Sequence, residues 1–170
     1  KSMTLSNGSA QLDGNKLTVN GTIDFATASP GLALQLAAAG IDIASLAGSK
    51  ASVSGLLSFQ ADVTGTLAKT LARGVFKLPA GQLDANPLTD GEGSFSYAGE
   101  VLTIQNATLK ALGGALAISG TMEPQTSRYN LKVSGQNVDG AILTNQGVNG
   151  RMSFEATVSG AADASSMTAS

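Results

Sequence analysis

Neither cysteine nor histidine occurs in this chain, and tryptophan is missing as well. Without a thiol or an imidazole, the usual nucleophilic triads, disulfides and most transition-metal sites are excluded. Charge is scarce: 13% of the 170 residues, about half the ~25% usual in globular proteins. Lys and Arg number 10 against 12 Asp and Glu and are scattered, so no footprint for nucleic acid exists. The carboxylates stand mostly singly. Asp90 and Glu92 are the closest pair, but they lie in a Gly-rich stretch, Asp90-Gly91-Glu92-Gly93, without the ligand spacing of a calcium loop. Gly113-Gly114 lacks the spacing and the following helix of a phosphate loop. The expectation is a protein that is not an enzyme and takes no cofactor or metal.

A long apolar run is also lacking. The nearest is Gly31 to Gly48, broken by Gln35, Asp42 and glycine. Its Leu-x-Leu-x-Leu opening alternates as a strand does, so it reads as a strand followed by a short helix over Ile41–Leu46 rather than a membrane span. The chain starts at Lys1, and any targeting signal is expected upstream of it.

What is present is alternation, and it recurs. In Val101–Met122, Leu102 and Ile104 alternate with Thr103 and Gln105, and Leu116, Ile118 and Met122 alternate with Ala117, Ser119 and Thr121, on two strands around Gly113-Gly114. Leu17, Val19, Gly21 and Thr22 answer Leu116, Ile118, Gly120 and Thr121, each 99 positions earlier. Further on, Leu36, Ile41, Asp42 and Leu46 match Val133, Val138, Asp139 and Leu143 at an offset of 97. Gly55-x-x-Ser58-Phe59-x-Ala61-x-Val63-x-Gly65 matches Gly150 to Gly160 at 95. The organisation expected is one β-rich segment with a tandem repeat of about 97 residues, its copies spanning 3–65 and 102–160, with linking strands over 66–101. At the last offset the second copy stops one position short of the counterpart of Phe76, so the chain reads as part of a longer protein.

The pattern predicts ten to twelve short, mostly antiparallel strands, a few helical turns and no long helix. Asp13-Gly14-Asn15 and Ala28-Ser29-Pro30-Gly31 read as turns, Pro79 as the end of a strand over Val75–Leu78, and Asp90–Gly93 as another turn. Asp42 and Asp139 read as caps of helical turns. Apolar parity shifts after Asn7 and Asn106, which fits either a bulge or a loop between two strands.

Leu102–Met122, with Leu-Thr-Ile-x-Asn-Ala-x-Leu followed by Leu-Gly-Gly-x-Leu-x-Ile-Ser-Gly-Thr-Met, resembles the AsmA-like superfamily of AsmA- and TamB-type envelope proteins. So do Leu131–Leu143, its earlier copy Leu34–Leu46, and the two Gly-x-x-x-Phe-x-Ala-x-Val-x-Gly strands. The resemblance implies an all-β, elongated, curled sheet in a protein anchored in the inner membrane of a Gram-negative bacterium and reaching across the periplasm. It implies a bridge for phospholipid acyl chains, with an inner-membrane anchor and an outer-membrane partner through parts outside this segment. The lipid groove would then be lined by the apolar face of each strand. In the first half these are Leu17, Val19, Ile23, Phe25, Leu34, Leu36, Leu57, Phe59 and Val63, followed by Phe76, Leu78, Phe95 and Tyr97. In the second half they are Leu102, Ile104, Leu116, Ile118, Met122, Leu131, Val133, Met152, Phe154 and Val158.

The alternation alone leaves a second arrangement open, a sandwich in which two such faces pack and vanish from water. A structural or adhesive exoprotein, of the autotransporter-passenger kind, would use such a closed dry core. The coils of those solenoids repeat at roughly 20–30 residues, shorter than the repeat here.

Overall fold

A computed structural model describes residues 1–12, 15–26, 28–44, 53–144 and 149–161. Ten strands form one sheet in which every strand pairs antiparallel with its neighbours in sequence. They are β1 (Ser2–Leu12), β2 (Asn15–Asp24), β3 (Gly31–Asp42), β4 (Val53–Thr66), β5 (Lys69–Leu83), β6 (Asn86–Ala98), β7 (Val101–Ala111), β8 (Gly114–Glu123), β9 (Arg128–Asp139) and β10 (Arg151–Ala161). β1 and β10 are the edges, and the sheet is not closed into a barrel. The all-β, antiparallel expectation is met.

Tight turns make this meander possible. Gly99-Glu100 joins β6 to β7 with φ of 57° and 68°, and Leu112-Gly113 joins β7 to β8 with 53° and 70°. Positive φ at both central residues matches the twist of the flanking strands. The second turn thus centres one residue earlier than the glycine pair suggests, and Gly114 opens β8. Of the Asp13-Gly14-Asn15 turn, residues 13 and 14 lie outside the described residues.

The parity shifts are bulges. β1 is continuous, with its register to β2 slipping between Leu5 and Gly8, and β7 is continuous, slipping between Ile104 and Ala107. β1–β2 and β7–β8 pair in corresponding registers: Met3↔Ile23 and Leu5↔Gly21 in the first, Leu102↔Met122 and Ile104↔Gly120 in the second. So do β3–β4 and β9–β10, with Leu34↔Val63 and Ala38↔Phe59 against Leu131↔Val158 and Gly135↔Phe154.

Two expectations are corrected. Pro79 does not end a strand: β5 runs through it to Leu83. The β4–β5 register is irregular between Gly55↔Gly81 and Ser58↔Lys77, so the proline lies where ladder bonding is already interrupted and its missing N–H costs little. Asp90–Gly93 is no turn but the middle of β6. Asp90 at φ 53° kinks the strand, while Gly91 and Gly93 stay extended beneath side chains of β5. Helical structure is slight. The helix α1 (Gly140–Thr144) starts where the Asp139 carboxylate accepts the Ala141 N–H at 3.0 Å. Asp42 likewise accepts the Ala44 N–H at 3.0 Å. Ile41, however, still belongs to β3, and residues 45 and 46 lie outside the described residues.

Candidate functional site

Residues directly opposite one another in an antiparallel ladder point to the same face. Following partners from strand to strand therefore maps each face. One unbroken row crosses all ten strands: Gly8, Val19, Leu36, Ala61, Gly74, Phe95, Ile104, Gly120, Leu131 and Val158. The next row is Leu5, Gly21, Leu34, Val63, Ala72, Tyr97, Leu102, Met122, Tyr129 and Gly160. A third contains Leu17, Ala38, Phe59 and Phe76, continued on β7–β10 by Ala107, Ile118, Val133 and Ala156. No charged residue enters these rows.

The remaining expected residues fall on the same face. Ile23 lies beside Leu32, Leu57 beside Ile41, Leu78 beside Gly91, Leu116 and Phe154 flank Gly135, and Met152 lies beside Val138. Phe25 is the exception. β2 ends at Asp24, whose carboxylate accepts the Ala26 N–H at 2.9 Å and bends the chain. Phe25 is left 48% exposed beyond the strand. Sequence reasoning missed Leu88, Tyr129 and Val138 as members of this face.

Most of these side chains are half-buried. Complete burial among them is reached by Val138 alone, because among the described residues every strand belongs to one sheet and no second layer covers the face. With neighbouring strands ~4.8 Å apart, nine gaps make an apolar strip roughly 43 Å long across the strands.

Aromatic rings lie over glycines on this face. A Cβ at Gly74 would fall 2.7 Å from Phe95 Cζ, and one at Gly93 only 2.6 Å from Phe76 Cζ. Since Gly74↔Phe95 and Phe76↔Gly93 are ladder partners, the two Gly-x-Phe segments of β5 and β6 cover each other reciprocally. Phe154 lies over Gly135 and Tyr129 over Gly160 in the same manner. Each ring fills the space that its neighbour's missing side chain leaves, so the surface stays level. Over Gly74 the Phe95 ring also meets Phe59 edge-on, with centroids 6.4 Å apart.

The opposite face is mostly polar, although β5 sets Leu71 and Val75 there, 47% and 51% exposed. It carries shallow hollows, one of about 640 Å³ beside Thr108, Lys132 and Glu155 and one of about 470 Å³ beside Gln35, Asp62 and Arg73. Short Ala, Ser and Thr side chains between longer charged ones leave these troughs. An exposed ion pair joins Lys110 to Asp90 at 2.7 Å. The hydrogen bond to Asp90, and then the attraction of its charge, hold the Lys110 ammonium above its ordinary value. Among the described residues no group of three acidic side chains gathers to hold a metal ion, and no helix is long and apolar enough to cross a membrane.

No protein-family model matches this chain, nor does any curated protein or solved structure. The fold and this apolar face therefore stand on the chain's own geometry.

Proposed function

We propose that this chain is a section of an AsmA-like, periplasm-spanning bridge whose apolar sheet face carries phospholipid acyl chains between the inner and outer membranes. The observation that supports this reading most is the uncharged apolar strip that crosses all ten strands without a second sheet above it. Fully burying a large apolar side chain contributes roughly 1.5–3 kcal/mol. An uncovered strip forfeits part of that at each residue, and an apolar occupant restores it. Acyl chains suit the surface because they are deformable and make no demand on side-chain identity. One leaflet of a ~30 Å hydrocarbon core is about 15 Å deep, so a strip of roughly 43 Å accommodates several chain lengths end to end. The rings of Phe76, Phe95, Tyr129 and Phe154, lying over glycines, stay low against the sheet, which favours sliding. The alternative of an exoprotein with a closed dry core needs a second apolar layer, and the described residues form one sheet.

The test is photocrosslinking from Phe59 and Phe154 on the apolar face and from Thr18 and Thr157 on the polar one, with phospholipid vesicles. Lipid adducts are expected from the first pair and not the second. Phe59→Asp should block lipid transfer while keeping its circular dichroism, because a carboxylate in an acyl path must be desolvated or bring water with it. Thr18→Asp should be tolerated. Equal crosslinking from both faces would sink the reading.

A further inference from the structure

Lys69, Leu71, Arg73, Val75 and Lys77 point outward from β5, away from the apolar strip. All of them are exposed, while Thr70, Ala72, Gly74 and Phe76 between them are half-buried. Cationic and aliphatic side chains therefore alternate along one strand, on a face that is otherwise mostly short and polar. β5 lies in the interior of the sheet, paired on one side with β4 and on the other with β6. Arg73 faces Asp62 across one ladder and Lys77 faces Glu92 across the other. Even so, Lys69, Arg73 and Lys77 form no ion pair among the described residues.

β5 is also one wall of a trough. The hollow beside Gln35, Asp62 and Arg73 adjoins another of about 700 Å³ beside Lys16, Ser58 and Lys77, and the two share Ala37, Gln60 and Val75. β3 and β4 form the floor, kept low by Ala37 and Ala39, and β2 supplies the far wall through Lys16, Thr18 and Asn20. Three strand gaps of ~4.8 Å set the walls roughly 14 Å apart, and an α-helix with its side chains is ~10–12 Å across. An extended peptide suits this seat poorly. Both floor strands are already paired on each side, so its backbone groups would find no ladder to join, whereas a helix satisfies its own. Lys16, Arg73 and Lys77 line the trough against a single carboxylate, Asp62.

We infer that this outer trough is a docking site for an acidic amphipathic helix of a partner protein. Arg73 and Lys77 stand roughly 13 Å apart along the strand, with Val75 midway. Acidic residues two helical turns apart, at i and i+7, with an aliphatic residue at i+4 between them, present the complementary face. Leu71 prolongs the apolar contact along β5, and Lys16 meets a further carboxylate from the opposite flank of the helix. Charge complementarity fixes partner and register, and burial of Leu71 and Val75 adds affinity. This site is independent of the acyl-chain reading, which concerns the other face of the sheet.

The probe is a fluorophore-labelled, alanine-rich peptide of about 18 residues, long enough to be helical alone. It carries glutamate at its fifth and twelfth positions and leucine at its second, ninth and sixteenth, all on one face. Anisotropy titration into the 170-residue chain is expected to show saturable binding. Combining Arg73→Glu with Lys77→Glu should weaken it at least ~10-fold. A peptide with lysine in place of both glutamates should bind that double variant and not the native chain. Val75→Ser should also weaken binding, whereas Lys132→Glu, beside the separate hollow of the same face, should leave it unchanged. The substituted residues are exposed, so each variant should keep the native circular dichroism. An absence of saturable binding, or equal affinity for the native chain and the double variant, would overturn the inference. So would phosphatidylglycerol vesicles that displace the peptide and bind the native chain but not the double variant, which would assign the trough to a membrane surface.

Discussion

Replacing Gly120 by alanine tests whether the mid-strand glycines set the backbone or merely fill it. Gly120 lies in the middle of β8 at φ 144°, and its counterpart in β2, Gly21, at 127°. A Cβ at Gly120 would overlap the Asn130 carbonyl and come 2.8 Å from Leu131 Cα. Both are backbone atoms of β9 held in the ladder, so neither can rotate away. Forcing a residue with a Cβ into that conformation costs about 1–3 kcal/mol, and overpacking adds about 1–3 kcal/mol. The sum, about 2–6 kcal/mol, is a large part of the ~5–15 kcal/mol typical of a folded domain. At ~2–4 °C per kcal/mol for a chain of this size, the melting temperature should fall by roughly 4–24 °C. The control is Gly99 in the β6–β7 turn, at φ 57° with nothing within 4 Å of a Cβ. Gly99→Ala should cost only about 1–2 kcal/mol. Asparagine separates the two causes further: it tolerates the left-handed turn, so Gly99→Asn should be nearly neutral, while Gly120→Asn should remain as damaging as alanine. Thermal unfolding followed by far-ultraviolet circular dichroism reads all four variants. Equal losses at both positions, or rescue of Gly120 by asparagine, would refute the reasoning.

Two further outcomes follow from polar contacts. Arg151 donates to the carbonyls of Asn137, at 2.7 Å, and Gly113, tying the start of β10 to the β7–β8 turn and to the stretch of β9 where the β9–β10 register slips and Asn137 stands at φ 60°. Arg151→Ala should cost about 1–2 kcal/mol in urea unfolding and speed amide exchange at the turn, with Arg151→Lys recovering part, because both bonds leave one nitrogen, Nη1, and an ammonium also offers several donors. The Lys110–Asp90 pair raises the lysine's folded-state pKa. Its contribution is therefore present at neutral pH and lost as pH rises through that raised value. Because the two side chains are 70% and 63% exposed, Asp90→Asn should leave the neutral-pH unfolding midpoint unchanged. It should also return Lys110 to its ordinary titration, as followed by nuclear magnetic resonance.

The strand alternation was legible because period two survives in composition alone. Phe59, Ala61 and Val63 on one strand and Phe154, Ala156 and Val158 on another fall on one face as their spacing requires. The bulges were half-legible, since a parity shift at Asn7 or Asn106 shows that something intervenes without saying whether the ladder continues. Pro79 and Gly91 misled for one physical reason. Both are turn-formers by local preference, and both are overruled by partners distant in sequence: the irregular β4–β5 register tolerates the proline, and Leu78 covers the glycine. The ring-over-glycine pairs had a signal that local reading passes over, the repeated Gly-x-Phe at Gly74–Phe76 and Gly93–Phe95. Its meaning depends on antiparallel registration. Whether the apolar face is covered was not legible at all, because a sandwich and a single sheet share the same alternation.

A sheet in which each strand pairs only with its neighbours in sequence is, energetically, a one-dimensional chain of interfaces. Each hairpin can form as soon as its two strands exist, with small loop-closure entropy, and the ladder can lengthen outward from any of them. Such a molecule has no single closing contact on which the rest depends. Damage in the middle, at β5 for example, should divide it into two blocks that melt separately, whereas damage at β1 or β10 should only shorten it. The same property makes the assembly extensible: adding or deleting a pair of strands alters two junctions and leaves the remaining registers untouched.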